Sequence, residues 1–199
     1  MEIGTKGLMD FLLEFNRYLP RKMKIFALGG TALTLLGKKA STRDIDFCFI
    51  TENERKAFTK TLQTIGYKLD IPNKLVGHGI AIDVYSDGYI FCVQLPPDYM
   101  ENANKIKEMS KIDLYVLAPI DLIITKAARF NDRDREDLAV LFENYKIDQK
   151  ELLHRWIAVM ENSMVKDAKE NIVLLFSLLE KYQTIDSDAL KETKRWAND

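Results

Sequence analysis

The chain has 199 residues, with 29 Lys plus Arg against 30 Asp plus Glu, for a formal net charge of -1. Hydrophobic residues make up 47% and charged residues 30%, the balance of a globular protein that can bury a sizeable core, not of a disordered one. Near-neutral charge excludes a strongly basic, sequence-indifferent nucleic-acid coat, although it leaves room for a local basic patch.

No run approaches the roughly 18 apolar residues of a membrane span. The N-terminal stretch Met-Glu-Ile-Gly-Thr-Lys has no basic n-region and no long apolar run, which argues against a signal peptide and for the cytoplasm. Cys48 and Cys92 sit in apolar, strand-like runs, as buried free thiols do. Two His and two Cys, far apart, make a poor zinc set.

In chain order, Leu8, Phe11, Leu12 and Phe15 recur at helical spacing and predict a helix over 5–18, ended by Pro20. A short β-type run, Lys24 to Leu28, stops at Gly29-Gly30, and Thr31 to Leu36 forms a short helix before Gly37. Asp44 to Ile50 is a second strand. A helix at about 53–65 follows the capping candidates Thr51 and Asn53 and stops at Gly66.

Three strand-like runs come next: Tyr67 to Ile71, Gly79 to Tyr85 and Tyr89 to Leu95. Asp87-Gly88 between the last two predicts a tight hairpin. Lys111 to Leu117 is a further strand, and Pro119 suits the first turn of a helix reaching about Phe130. Asn131 or Asp132 can cap a helix over 133–145, and further helices fit 149–161, 167–183 and 187–197. Strands cease near 145, so the expected organisation is a mixed α/β domain over 1–145 and a helical region over 146–199. Hairpins alternating with helix-separated strands favour an α+β fold with a mixed sheet over a pure parallel, doubly wound one. The amphipathic C-terminal helices are expected to pack on the sheet domain or on each other, with a partner-binding surface as the alternative.

The chemistry concentrates in two segments. At Leu28-Gly29-Gly30-Thr31 a strand gives way to a helix through two glycines, a place where backbone can approach a ligand closely and where a helix offers unpaired N–H groups to an anion. Gly-Gly after a strand is also an ordinary tight turn. On the strand that follows, Asp44 and Asp46 fall on one face, and Ile45, Phe47 and Phe49 on the other. Paired carboxylates repel, and burying them needs a cation or donors; hard oxygens at this spacing suit Mg²⁺. The alternative is that one Asp caps a turn while the other meets Arg43 or a lysine. Asp83 interrupts the apolar run Ile80 to Tyr85. Were its strand to neighbour that of Asp44 and Asp46, three carboxylates could hold two divalent cations for in-line phosphoryl displacement; otherwise Asp83 is an exposed acid on an edge strand.

The segments Ala27-Leu28-Gly29-Gly30-Thr31-Ala32-Leu33 and Thr42-Arg43-Asp44-Ile45-Asp46-Phe47 resemble the nucleotidyltransferase signature of the polymerase-beta superfamily, and most closely its AbiEii-like toxin group. The helix segments Asp121 to Lys126 and Arg133 to Leu138 extend the resemblance, which covers roughly residues 20–145. It implies that Gly29, Gly30 and Thr31 hold nucleotide phosphates, that Asp44, Asp46 and Asp83 bind two Mg²⁺ ions, and that Asp83 helps activate an acceptor hydroxyl. It further implies nucleotide-side roles for Lys126, Arg129 and Asp137. A position that is basic in many relatives, four before the first Asp, is Ala40 here, with Lys38 and Lys39 just upstream. The implied reaction moves a nucleoside monophosphate from a nucleoside triphosphate to an acceptor hydroxyl. The implied acceptor is RNA, such as tRNA, with the protein as a toxin neutralised by an antitoxin. Two alternatives are a small-molecule acceptor, an antibiotic or metabolite, and a non-catalytic binding protein of the same fold.

Overall fold

The computed structural model describes residues 2–198. By its internal contacts the chain divides into two compact units, residues 1–90 with 97–118, and residues 91–96 with 119–199. The division expected near 145 thus differs from the contact grouping, which places the helices of 119–144 with those that follow. The helices of 119–144 contact one another and the helices that follow.

The first unit contains β1 (Ile3–Gly4), α1 (Thr5–Phe15), β2 (Met23–Ala27), α2 (Gly29–Leu35), β3 (Ser41–Thr42), β4 (Asp44–Phe49), α3 (Glu52–Thr64), β5 (Lys68–Ile71), β6 (Lys74–Gly77), β7 (Ile80–Ser86) and β8 (Tyr89–Ile90). After residues 91–96, which include β9 (Val93–Gln94), it resumes with α4 (Tyr99–Asn102), β10 (Asn104–Glu108) and β11 (Ile112–Val116). Its sheet runs β10-β11-β2-β4-β7-β6-β5, with β8 hairpinned onto β7 and β1 paired with β3 apart from it. β11–β2 and β4–β7 are parallel, and the other neighbours on the path are antiparallel. The fold is therefore α+β with a mixed sheet, as the alternation of hairpins and helices predicted.

One face of this sheet is apolar. Ile25, Ala27, Ile45, Phe47, Phe49, Ile82 and Val84 share it by register and are fully buried. Phe58 of α3 lies 4.7 Å from the ring of Phe49 and 6.0 Å from that of Phe47, and Phe15 of α1 lies 4.5 Å from Phe58. Burial of this aromatic cluster fixes which way β4 faces, because a one-residue slip would drive Asp44 and Asp46 into it. The opposite face therefore carries Asp44, Asp46, Ala81 and Asp83.

Local signals formed as their chemistry dictates. Thr51 caps α3 by accepting from the Glu54 N–H. Asp87 and Gly88 both have positive φ in the two-residue turn that opposes Ser86 to Tyr89. Four strands went unread in the sequence, the two-residue β1 and β3 and the longer β10 and β6. β10 is charged and exposed, without apolar alternation. β6 is the outer partner of β7 across a turn at His78-Gly79, where both residues again have positive φ.

The second unit is helical apart from β9. It contains α5 (Pro119–Ala127), α6 (Asp132–Asn144), α7 (Gln149–Met160), α8 (Ala168–Leu179) and α9 (Ser187–Asn198). Pro119 occupies the first position of α5, and Asn131 caps α6 by accepting from the Asp134 N–H. Of the amphipathic C-terminal helices, Leu152, Leu153, Trp156, Met160, Ile172, Leu175, Phe176 and Leu179 are buried and Ile157 is half-buried, and α7, α8 and α9 pack on each other. Cys48 is free and buried, while Cys92 is free and half-buried. No helix among the described residues is long and apolar enough to cross a membrane.

Candidate active site

The Gly29-Gly30 segment is not a loop ahead of a helix but the first turn of α2 itself. Leu28 before it is extended, and its N–H donates to the Asp46 carbonyl at 3.2 Å. Thr31 then ties this turn to β4. Its hydroxyl accepts from the Asp46 N–H at 2.9 Å and donates to the Asp44 carbonyl at 3.2 Å. Thr31 is fully buried, so its hydroxyl is committed to the strand. The Thr42 hydroxyl donates to the same Asp44 carbonyl at 3.0 Å.

The two glycines make this closeness possible. Gly29 has φ +57°, and a Cβ there would stand 2.7 Å from Asp46 Oδ2. A Cβ on Gly30 would stand 2.5 Å from Thr42 Oγ1. The Asp46 carboxylate thus nestles against the Gly29 backbone, in space that any side chain at 29 would fill.

Asp83 joins from the neighbouring strand. β4 and β7 run parallel with Asp46 directly paired to Asp83 and Asp44 to Ala81. In-register partners on adjacent strands share a face, at a strand spacing of about 4.8 Å. The strand adjacency that the sequence left conditional is present. Asp46 is buried, and Asp44 and Asp83 are partly exposed. Among the described residues, no three His, Cys, Asp or Glu side chains meet as a ready-made metal cluster. What β4 and β7 supply is an in-register pair of hard carboxylates with Asp44 one pleat along. The hard-oxygen donor chemistry of these carboxylates fits a small divalent cation such as Mg²⁺.

One residue of this face escaped the sequence reading. Lys74 of β6 is the direct partner of Asp83 across the β6–β7 hairpin, and its Nζ lies 3.4 Å from Asp83 Oδ2. Counting back from the His78-Gly79 turn was the available signal, since Lys74 and Asp83 are equidistant from it.

Within the second unit, the three remaining expected residues belong to one ionic group. Lys126 is only 2% exposed, and its ammonium pairs with Asp137 at 2.5 Å and with Asp134 at 3.6 Å. Arg129 pairs with Asp134 at 2.7 Å, and its guanidinium lies 3.6 Å from the centre of the Phe91 ring. Lys126 is therefore a buried, paired charge and not a solvated one. A second buried pair, Arg155 with Asp121, ties α7 to α5.

The fold and the face of β4 and β7 define a class: an α+β protein that sets in-register aspartates beside a glycine-started helix. Residues 8–190 match the family model described as "Nucleotidyltransferase of unknown function (DUF6036)", and the chain belongs to that family. No curated protein matches it. A solved structure described as a "putative nucleotidyltransferase from H. pylori" aligns with 98% of this chain and 92% of its own, at 15% identity and a TM-score of 0.47.

Proposed function

We propose that the protein is a Mg²⁺-dependent nucleotidyltransferase that moves a nucleoside monophosphate from a nucleoside triphosphate to an acceptor hydroxyl. The observation that carries this reading is the in-register pairing of Asp46 with Asp83 beside Gly29, in a chain of a nucleotidyltransferase family. Asp44, Asp46 and Asp83 would hold the metal, which when bound supplies charge neutralisation for the triphosphate.

Asp83 takes the proton of the acceptor hydroxyl. The acceptor oxygen bonds to the α-phosphorus as the bridge to the β-phosphate breaks, and pyrophosphate leaves with that electron pair. Gly29 and Gly30 bring backbone, without side chains, to the phosphates. Thr31 serves from behind, by holding the α2 turn against β4. The resemblance assigns nucleotide-side roles to Lys126, Arg129 and Asp137, which within the second unit form one ion-paired group with Asp134. The basic residues Lys38, Lys39 and Arg43, which flank β4 in sequence, favour an RNA end as acceptor, in keeping with the AbiEii-like toxin resemblance and an antitoxin partner.

The test supplies each α-labelled nucleoside triphosphate with Mg²⁺ and either total RNA or an RNA-free small-molecule extract. Transfer of label to RNA that is lost in Asp46→Asn supports the reading. Label on a small molecule redirects the acceptor. No transfer from any nucleotide in either mixture, with the protein folded, removes the enzymatic reading in favour of a binding protein.

A further inference from the structure

Lys74 is the unexplained residue of the candidate site. Asp46, Asp83 and Lys74 form a row across three consecutive strands, because β4 pairs with β7 in parallel register and β7 with β6 in antiparallel register. Directly opposed residues share a face, so all three side chains leave the sheet on the same side. Two carboxylates a strand spacing apart repel, and this repulsion grows with burial. The Lys74 ammonium, 3.4 Å from Asp83 Oδ2, offsets it.

The burial of the pair is uneven. The Asp83 side chain is 16% exposed and the Lys74 side chain 29% exposed. A lysine has a flexible four-carbon stem and a strongly hydrated head, so Lys74 can withdraw toward water while its stem stays packed. β6 is one strand from the sheet edge, with the wholly exposed β5 outside it, which leaves that path open. A divalent cation on Asp83 would be repelled by the ammonium at this distance.

We infer that Lys74 is a resident counter-cation of the site: it holds the Asp83 carboxylate in the metal-free protein and is displaced when a divalent cation binds. Lys74 is thus a positioning residue that sets metal affinity and keeps the aspartate row from splaying before metal arrives. The inference rests on the metal reading proposed above and adds to it a competitor built into the sheet.

The test is calorimetric titration of Mn²⁺ into the full chain, with no nucleotide present. Lys74→Met keeps the stem and removes the charge, and it is expected to tighten Mn²⁺ binding by about two- to fivefold, the scale of a partly exposed ion pair. Lys74→Arg restores the charge and should return affinity to near the wild-type value. In an Asp83→Asn background, Lys74→Met should change affinity little, because the paired acid is gone. Unchanged or weaker Mn²⁺ binding in Lys74→Met, alongside clear binding to the wild type, overturns the counter-cation role and leaves the metal reading standing. An absence of Mn²⁺ binding to both wild type and Lys74→Met overturns the metal reading, and the counter-cation role with it.

Discussion

The Asp46 carboxylate lies against the Gly29 backbone, with Oδ2 2.7 Å from where a β-carbon would stand. The glycine is demanded twice, by its φ of +57° and by this approach. Gly29→Ala is therefore expected to lower stability by about 1–3 kcal/mol, combining left-handed backbone strain with displacement of the acid. Urea unfolding measures the stability change. Calorimetric Mn²⁺ titration of the folded variant should show weaker binding than the wild type, because the moved group is the proposed ligand.

Thr31 accepts from the Asp46 N–H and donates to the Asp44 carbonyl, and it is fully buried. Thr31→Val preserves shape but leaves that N–H without its acceptor, a loss of about 1–3 kcal/mol. Thr31→Ser retains the hydroxyl and should recover most of it. Equal unfolding midpoints for the valine and serine variants would contradict the pinning role.

Lys126 neutralises Asp137 and part of Asp134 within the helical unit, and all three are buried. Removing one partner of a buried pair strands the other charge. Lys126→Met should therefore destabilise by about 3–5 kcal/mol, read as a lowered thermal midpoint. A midpoint equal to wild type would show that the charge there is dispensable to folding.

Glu52 opens α3, where Arg55 donates two hydrogen bonds to its carboxylate and Ser86 donates a third. The Arg55 hydrogen bond chiefly, with Ser86 assisting, holds its pKa down at about 2 against an ordinary value of 4.5. A carboxylate lowered by folding stabilises the folded state above its unfolded pKa. That contribution is lost as pH falls from about 4.5 toward about 2. The group is partly exposed, so solvent screening keeps the contribution to about 1 kcal/mol or less. Glu52→Gln should flatten the fall in urea midpoint across that window and leave the slope above pH 5 unchanged.

Features carried by adjacent residues were legible in the chain. Alternation in Asp44 to Phe49 assigned the acids to one face and the aromatic cluster to the other, as the Phe58 contacts bear out. Asp87-Gly88 specified its turn, and Thr51 and Asn131 their helix starts. The charged β10 was illegible because an exposed edge strand needs no apolar pattern. β6 was illegible because its four residues bury only Leu75, too little to show an alternation.

The sequence by itself determined that aspartates 44 and 46 leave one side of a strand, that two glycines start the preceding helix, and that strands and helices mix in this order. Periodicity, capping and turn chemistry are properties of neighbouring residues, so they can be read without a fold. Only the tertiary structure decided that Asp83 stands beside Asp46, that Gly29 makes room for a carboxylate, and that Lys126 is sealed against Asp137. Strands find their neighbours through backbone hydrogen bonds that every residue type shares, and buried charges through packing of distant segments. No local pattern encodes either, which is why the site's row of charges emerges only once the sheet is assembled.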